Sequence, residues 1–268
     1  MGVGHYENFP VASVLLPHAL RRPVELIYAF ARSADDFADE GDWTEETRLA
    51  RLQAYQTELD RLESGKETDS PLFRALAGVI GAHRLPVQPF RDLLSAFAQD
   101  VTKRRYADFP ELMDYCRRSA DPVGRLLLHL FGATDAPSLV RSDRICSSLQ
   151  LINFLQDVAI DCAKGRLYLP LDELRRFSVT EQQIERGDTA GGWRALMQYQ
   201  IERARSMLME GAPLGRTLPG RVGFEVRMIV TGGMRILKKL EASGGDVFRS
   251  RPVLTSLDWI TMLWQAAR

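Results

Sequence analysis

Two pairs of aspartates constrain this chain more than any other feature: Asp35 with Asp39, and Asp157 with Asp161. Each pair is spaced i, i+4 in a stretch free of glycine and proline, which predicts one face of an α-helix. The first stretch reads Tyr28-Ala-Phe-Ala-Arg32-Ser-Ala-Asp35-Asp36-Phe-Ala-Asp39-Glu40. A helix turns about 100° per residue, so Tyr28, Arg32, Asp35 and Asp39 form one stripe. Asp36 lies beside it, and Ile27, Phe30, Ala31, Ala34 and Phe37 supply apolar flanks. Pro23 suits a first helical position, where its missing N–H costs nothing, so the helix is predicted over 23–40. Like charges at i, i+4 repel by roughly 0.2–0.5 kcal/mol even when exposed. Such a row is kept either as a solvated face or because a cation sits between the oxygens. Hard carboxylate oxygens suit Mg²⁺, which binds a few of them together with substrate phosphates.

The second stretch, Gln150-Leu-Ile-Asn153-Phe-Leu-Gln156-Asp157-Val-Ala-Ile-Asp161, repeats the carboxylate pair. Asn153 stands one turn before Asp157, and Gln150 extends the polar row. Leu151, Phe154, Leu155 and Val158 make the rest of this helix apolar, a setting in which unpaired carboxylates are costly. Two such helices facing each other across a cavity would make paired acidic clusters for metal ions and a diphosphate.

Composition excludes several alternatives. With 35 basic and 35 acidic residues, no global field attracts nucleic acid, and no basic tract or aromatic RNA-binding signature is present. Cys116, Cys146 and Cys162 are odd in number and lack metal-ligand spacing, which reads as reduced thiols in a cytoplasmic protein. The N-terminus carries no signal-peptide pattern, and no apolar run is long enough to span a bilayer. Peripheral contact with the inner membrane face stays open, because a greasy substrate or product would live there.

Taken in order, the chain reads as helices joined by short connectors. Thr44 is an N-cap before Glu45 and Glu46, opening a helix to about Ser64 with Leu49, Leu52, Leu59 and Leu62 inward. Ser70-Pro71 opens the next, with Leu72, Leu76, Val79 and Ile80 inward. Residues 89–104 follow, with Leu93, Leu94, Phe97 and Val101 on one side; Lys103, Arg104 and Arg105 read as a surface cluster. A helix begins at Phe109-Pro110 and carries Leu112, Tyr115 and Cys116. Asp121-Pro122-Val123-Gly124 interrupts it before Leu126–Phe131, and Gly124 admits either close packing or a substrate. The second acidic helix runs from about Ser138. Lys164-Gly165-Arg166 follows it as a glycine-containing basic loop, either a surface turn or a mobile flap that closes on phosphate. Short helices are predicted at 172–177 and 180–186, longer ones at 193–210 and 219–240, and a last one opened by Pro252. His5, alone near the N-terminus, is by itself more often structural than catalytic. With no sustained strand alternation and no linker, the fold class is all-α, one domain over 1–268.

These stretches together resemble the squalene/phytoene synthase family. The resemblance rests on both aspartate motifs, on Tyr115-Cys116, on Asp121-Pro-Val-Gly124 and on Lys164-Gly165-Arg166-Leu-Tyr168-Leu-Pro170, in that order and spacing. It runs from about His5 to Pro170 and fades beyond. It implies a single helical bundle around a central cavity, like the class I isoprenoid synthases, which joins prenyl diphosphates head to head or rearranges the cyclopropyl intermediate. It implies that Asp35, Asp39, Asp157, Asp161 and Tyr115 are catalytic, and that the four aspartates, with Asp36 and Asn153, bind Mg²⁺, or Mn²⁺ in its place. It further implies that His5, Tyr28, Arg32, Gln150, Asn153, Arg166 and, less directly, Arg251 contact diphosphate. His5 thereby shifts from structural to functional.

Two departures narrow the resemblance. Phytoene and dehydrosqualene synthases usually carry arginine just before the second motif's first aspartate; here it is Gln156. The N-terminal segment His5-Tyr6-Glu7-Asn8-Phe9-Pro10 also departs from theirs. Both features look like the bacterial hydroxysqualene synthases of hopanoid pathways, which convert presqualene diphosphate and water to hydroxysqualene and diphosphate. On that reading no nicotinamide is expected, nucleic acid is no partner, and coupling to other squalene-pathway enzymes is an open expectation. The alternatives are a condensing squalene or phytoene synthase, a head-to-tail prenyltransferase, and a non-catalytic helical adaptor. The second motif is not the Asp-Asp-x-x-Asp of head-to-tail enzymes, and an adaptor would be expected to lose aspartates that are intact here.

Overall fold

The computed structural model describes residues 16–267, so His5 lies outside the described residues. Among them the chain forms thirteen helices and no β-strand. The first four are α1 (His18–Asp39), α2 (Glu45–Glu63), α3 (Pro71–His83) and α4 (Gln88–Thr102). They enclose one core centred on Phe30, whose ring meets Phe90 edge-on at 5.1 Å and stacks on Tyr55 at 5.6 Å. Then come α5 (Phe109–Ser119), α6 (Asp121–Phe131) and α7 (Ala136–Ala163), followed by the short α8 (Leu171–Arg176) and α9 (Glu181–Glu185). The chain ends in α10 (Trp193–Gly211), α11 (Leu214–Thr217), α12 (Gly220–Ala242) and α13 (Ser256–Ala266). A second core joins α5, α7, α10 and α12 around the fully buried Trp193 and Leu208. Helix α6 packs between the two cores, giving Leu126 to the first and Leu128 to the second.

Local chemistry sets the helix starts. Thr44, Ser70, Asp108, Asp135 and Thr180 each accept an orphan backbone N–H of the first turn. Such caps contribute about 1 kcal/mol each. Ala120 separates α5 from α6, where Asp121-Pro122 restarts the helix.

Two predicted boundaries need correction. Helix α1 begins at His18, so Pro23 lies inside it, not at its start. Pro17 precedes the first turn and Leu20 N–H bonds to its carbonyl, so the helix is nucleated before Pro23 is reached. Burial of Pro23 in the first core offsets the hydrogen bond it cannot donate. The last helix begins at Ser256, not Pro252. Thr255 and Asp258 form a reciprocal capping box there, and residues 251–255 ahead of it are not helical. The short α11 went unpredicted because four residues show no periodicity.

Candidate active site

Helix α1 presents Tyr28, Arg32, Asp35, Asp36 and Asp39 along one side, as its spacing requires. Arg32 bridges the first carboxylates, with Nη1 donating to Asp35 at 3.1 Å and Nη2 to Asp36 at 2.6 Å. One turn on, Asp39 accepts from Arg166 Nη2 at 2.6 Å, and Lys164 stands 3.8 Å away. Burial opposes ionisation of Asp39, but the Arg166 hydrogen bond and charge outweigh it and hold the carboxyl below its usual range.

Helix α7 supplies the other half. Asp157 is gripped by both arms of Arg251, at 2.5 Å from Nε and 3.0 Å from Nη2. Asp161 is pushed up to about 7, first by burial and then by the charge of Asp157, with Asp39 adding to it across the gap from α1. Arg166 and Lys164 act on Asp161 in the opposite direction. The same charges therefore act on Asp39 and Asp161, so the two aspartate motifs face each other.

Beside the motifs opens a cavity of about 590 Å³. Its polar lining includes Tyr28, Arg32 and Asp35 on α1 and Gln150 and Asn153 on α7. Leu127, Phe131, Leu149, Val222, Val226 and Ile229 supply apolar walls. The cavity thus has the amphipathic character that a diphosphate with a hydrocarbon tail demands.

Arg166 corrects the sequence reading. It was expected on a mobile flap or an exposed turn, yet it is only 8% exposed. Leu167 N–H bonds to the Arg104 carbonyl, and Arg105 holds the Gly165 carbonyl and pairs with Glu181. Arg105 therefore fastens the loop, a role its surface reading missed. Arg166 also donates to the backbone carbonyl of Asp100.

Asp100 went unread in the sequence. It is 5% exposed on α4 and accepts from Tyr115 OH at 2.5 Å and Tyr168 OH at 3.2 Å. Burial raises its carboxyl to about 7 against those hydrogen bonds. Tyr168 stacks on Phe154 at 3.9 Å, with the Tyr106 and Tyr115 rings alongside. Tyr115 is thus set in an aromatic cluster behind the motifs and does not line the cavity. The signal for Asp100 was its register, since it shares the apolar face of α4 with Leu93, Phe97 and Val101.

Gln156 is 1% exposed, and its Nε2 donates to the Pro252 carbonyl at 2.6 Å. It ties to α7 the very segment that carries Arg251, so the weakest of the predicted contacts is brought firmly to the second motif.

The profile of the squalene/phytoene synthase family matches residues 3–258. The chain belongs to the squalene/phytoene synthase family. A squalene/phytoene synthase relative, the 15-cis-phytoene synthase of Synechococcus elongatus, is 31% identical over 91% of this chain and 83% of its own. The hydroxysqualene synthase of Rhodopseudomonas palustris is 34% identical over 88% and 80%. The crystal structure of squalene synthase HpnC from Alicyclobacillus acidocaldarius superposes with a TM-score of 0.82 at 38% identity, covering 90% of each chain. The fold is therefore that of the squalene synthase-like isoprenoid synthases. Enzymes of the squalene/phytoene synthase family condense prenyl diphosphates head to head and generally depend on a divalent metal.

The donors at this site fit such a metal. They are hard carboxylate oxygens, and the half-buried Asp161 feels the negative charges of Asp157 and Asp39, which a cation would relieve. Among the described residues no three acidic, histidine or cysteine side chains converge as a ready ligand set. Arginines instead engage Asp35, Asp39 and Asp157. Among the described residues no helix is long and apolar enough to cross a membrane.

Proposed function

We propose that this enzyme is a hydroxysqualene synthase, converting presqualene diphosphate and water to hydroxysqualene and diphosphate within one domain. The observation that carries the reading is Gln156. Where phytoene and dehydrosqualene synthases usually place a cation beside the diphosphate, this chain has a neutral amide, buried and bonded to Pro252. A site with less fixed positive charge suits one diphosphate rather than two. Identity to the Rhodopseudomonas palustris hydroxysqualene synthase supports the same reading.

In this reading Asp35, Asp39, Asp157 and Asp161, supported by Asp36 and Asn153, would hold Mg²⁺, whose charge would neutralise the leaving diphosphate. Arg32, Arg166 and Arg251 turn from their carboxylates to phosphate oxygens, which match the planar guanidinium fork. Tyr28 and Gln150 add hydrogen bonds from the cavity wall, and His5 adds another from outside the described residues. Asp100 keeps the Tyr115 hydroxyl oriented. The apolar walls shield the carbocation from indiscriminate attack. No nicotinamide is needed, because water and not hydride ends the reaction. The exposed Leu257, Ile260, Leu263 and Trp264 of α13 support contact with the cytoplasmic face of a bilayer that supplies the substrate and harbours other enzymes of the pathway.

Presqualene diphosphate with Mg²⁺ and no nicotinamide should yield a triterpene alcohol, and in ¹⁸O-water the alcohol should carry the label. Squalene formed only on adding NADPH, or no triterpenol at all, would sink the assignment. The second reading is a condensing phytoene or squalene synthase, favoured by the Synechococcus elongatus relative. It predicts turnover of a C15 or C20 prenyl diphosphate to a hydrocarbon, squalene forming only with NADPH and phytoene without it.

A further inference from the structure

Helix α12 turns one face to the cavity. Val222, Glu225, Val226 and Ile229 line it at i, i+3, i+4 and i+7, three aliphatic side chains and one carboxylate. Among the described residues only two carboxylates line this cavity, Asp35 and Glu225. Asp35 sits at the α1 side with Arg32 at 3.1 Å, within the group that meets diphosphate in the reading above. Glu225 stands on another wall, among the apolar side chains that would surround the hydrocarbon. Glu225 is half-buried there, and packing alone would prefer a fourth aliphatic residue at that position.

A cation quenched by water needs a group that orients the water and accepts its proton. The other cavity-lining side chains do this poorly. Ser119 and Ser142 are weak bases. Burial pushes the Cys146 thiol up to about 12, so it stays protonated. Tyr28, Gln150 and Asn153 carry no basic group, and Arg32 is a cation. A carboxylate offers about four acceptor sites, so it can bind a water while keeping its resting contacts.

We propose that Glu225 is the base that ends the reaction. This rests on the hydroxysqualene synthase reading and names the quenching residue within it. The Glu225 carboxylate accepts a hydrogen bond from one water. As the water oxygen forms its bond to the cationic carbon, one O–H bond breaks. Its electron pair stays on oxygen to give the neutral alcohol, and the proton passes to Glu225. The carboxylic acid returns the proton to solvent as product leaves. The balance is one triterpenyl cation and one water in, one alcohol and one proton out.

The test measures ¹⁸O-labelled triterpenol formed per diphosphate released, from presqualene diphosphate and Mg²⁺ in ¹⁸O-water. For the wild type the ratio should be near one. In Glu225→Gln, which keeps the shape and loses the basicity, the ratio should fall at least ten-fold, with hydrocarbons from proton loss making up the difference. Glu225→Asp, which restores a carboxylate one methylene back, should recover part of it. An unchanged ratio in Glu225→Gln would overturn the proposal and pass the proton to the released diphosphate. Equal loss of both products in both variants, with a lowered Tm, would also overturn it, making Glu225 structural. A wild type that releases diphosphate but makes no triterpenol would overturn the hydroxysqualene synthase reading itself and this proposal with it.

Discussion

At the scale of single residues, Gln156 and Arg251 are coupled through one carbonyl. Replacing Gln156 by Leu keeps the volume but leaves the buried Pro252 carbonyl without that donor. The loss should be about 1–3 kcal/mol, read as a fall of several degrees in Tm. If the amide also positions Arg251, the affinity of the Mg²⁺-loaded enzyme for inorganic diphosphate should weaken by roughly ten-fold, about 1.4 kcal/mol by calorimetry. A lowered Tm with unchanged diphosphate affinity would make the tether purely structural. The aspartates of both motifs were legible because their helical spacing is written in the chain. Apart from Arg32 on the same helix, the partners that hold them were not. Arg166 and Asp39 stand far apart in sequence, as do Arg251 and Asp157, and no local periodicity links them. Asp100 was legible in principle as a carboxylate on an apolar face, but its tyrosine partners lie on other elements.

At the scale of helices, Gly124 is a contact between α6 and α7. A Cβ built there would lie 2.3 Å from Ser142 Oγ and 2.6 Å from Cys146 Sγ. Of the two uses the sequence allowed this glycine, close packing is met directly; the residue also borders the cavity. Gly124→Ala should force the helices apart and cost about 1–3 kcal/mol, as overpacked interiors do. Adding Ser142→Ala removes the nearer clash and should restore part of the loss in denaturant midpoint. If the double variant is no more stable than the single one, the contact is not limiting. Helix starts were readable where a capping side chain announces them, as at Thr44 and Ser70. They were misread at Pro23 and Pro252, because proline is compatible with more than one position near a helix start, and tertiary burial chose among them.

At the scale of the whole molecule, buried carboxylates set how stability depends on pH. Asp121 is 3% exposed, and burial raises its carboxyl to about 7, although Ser147 Oγ donates to it at 2.7 Å. Its folded value lies above its unfolded one, so between about pH 4 and 7 the folded state binds more protons and stability falls as pH rises. Asp258 has the opposite sign. Burial raises its carboxyl, but Lys239, the Thr255 N–H and Arg235 outweigh that, so it stabilises the fold above its unfolded value and acts in a lower window. From pH 5 to 8 the Asp121 effect should therefore show, and Asp121→Asn should flatten the decline in unfolding free energy by on the order of 2–4 kcal/mol, read by denaturant titration. An identical slope in the variant would mean that Asp121 is ionised throughout. The aspartate spacing, the helical periods and the capping residues by themselves determined an all-helical chain with two acidic helices, because these are local properties with periods of a few residues. Tertiary structure alone decided that the two motifs face each other, that Arg166 is buried against Asp39, that Arg251 returns to Asp157, and that Glu225 borders the same cavity. Those outcomes join groups far apart in sequence, and only packing of the helices brings their charges within range of one another.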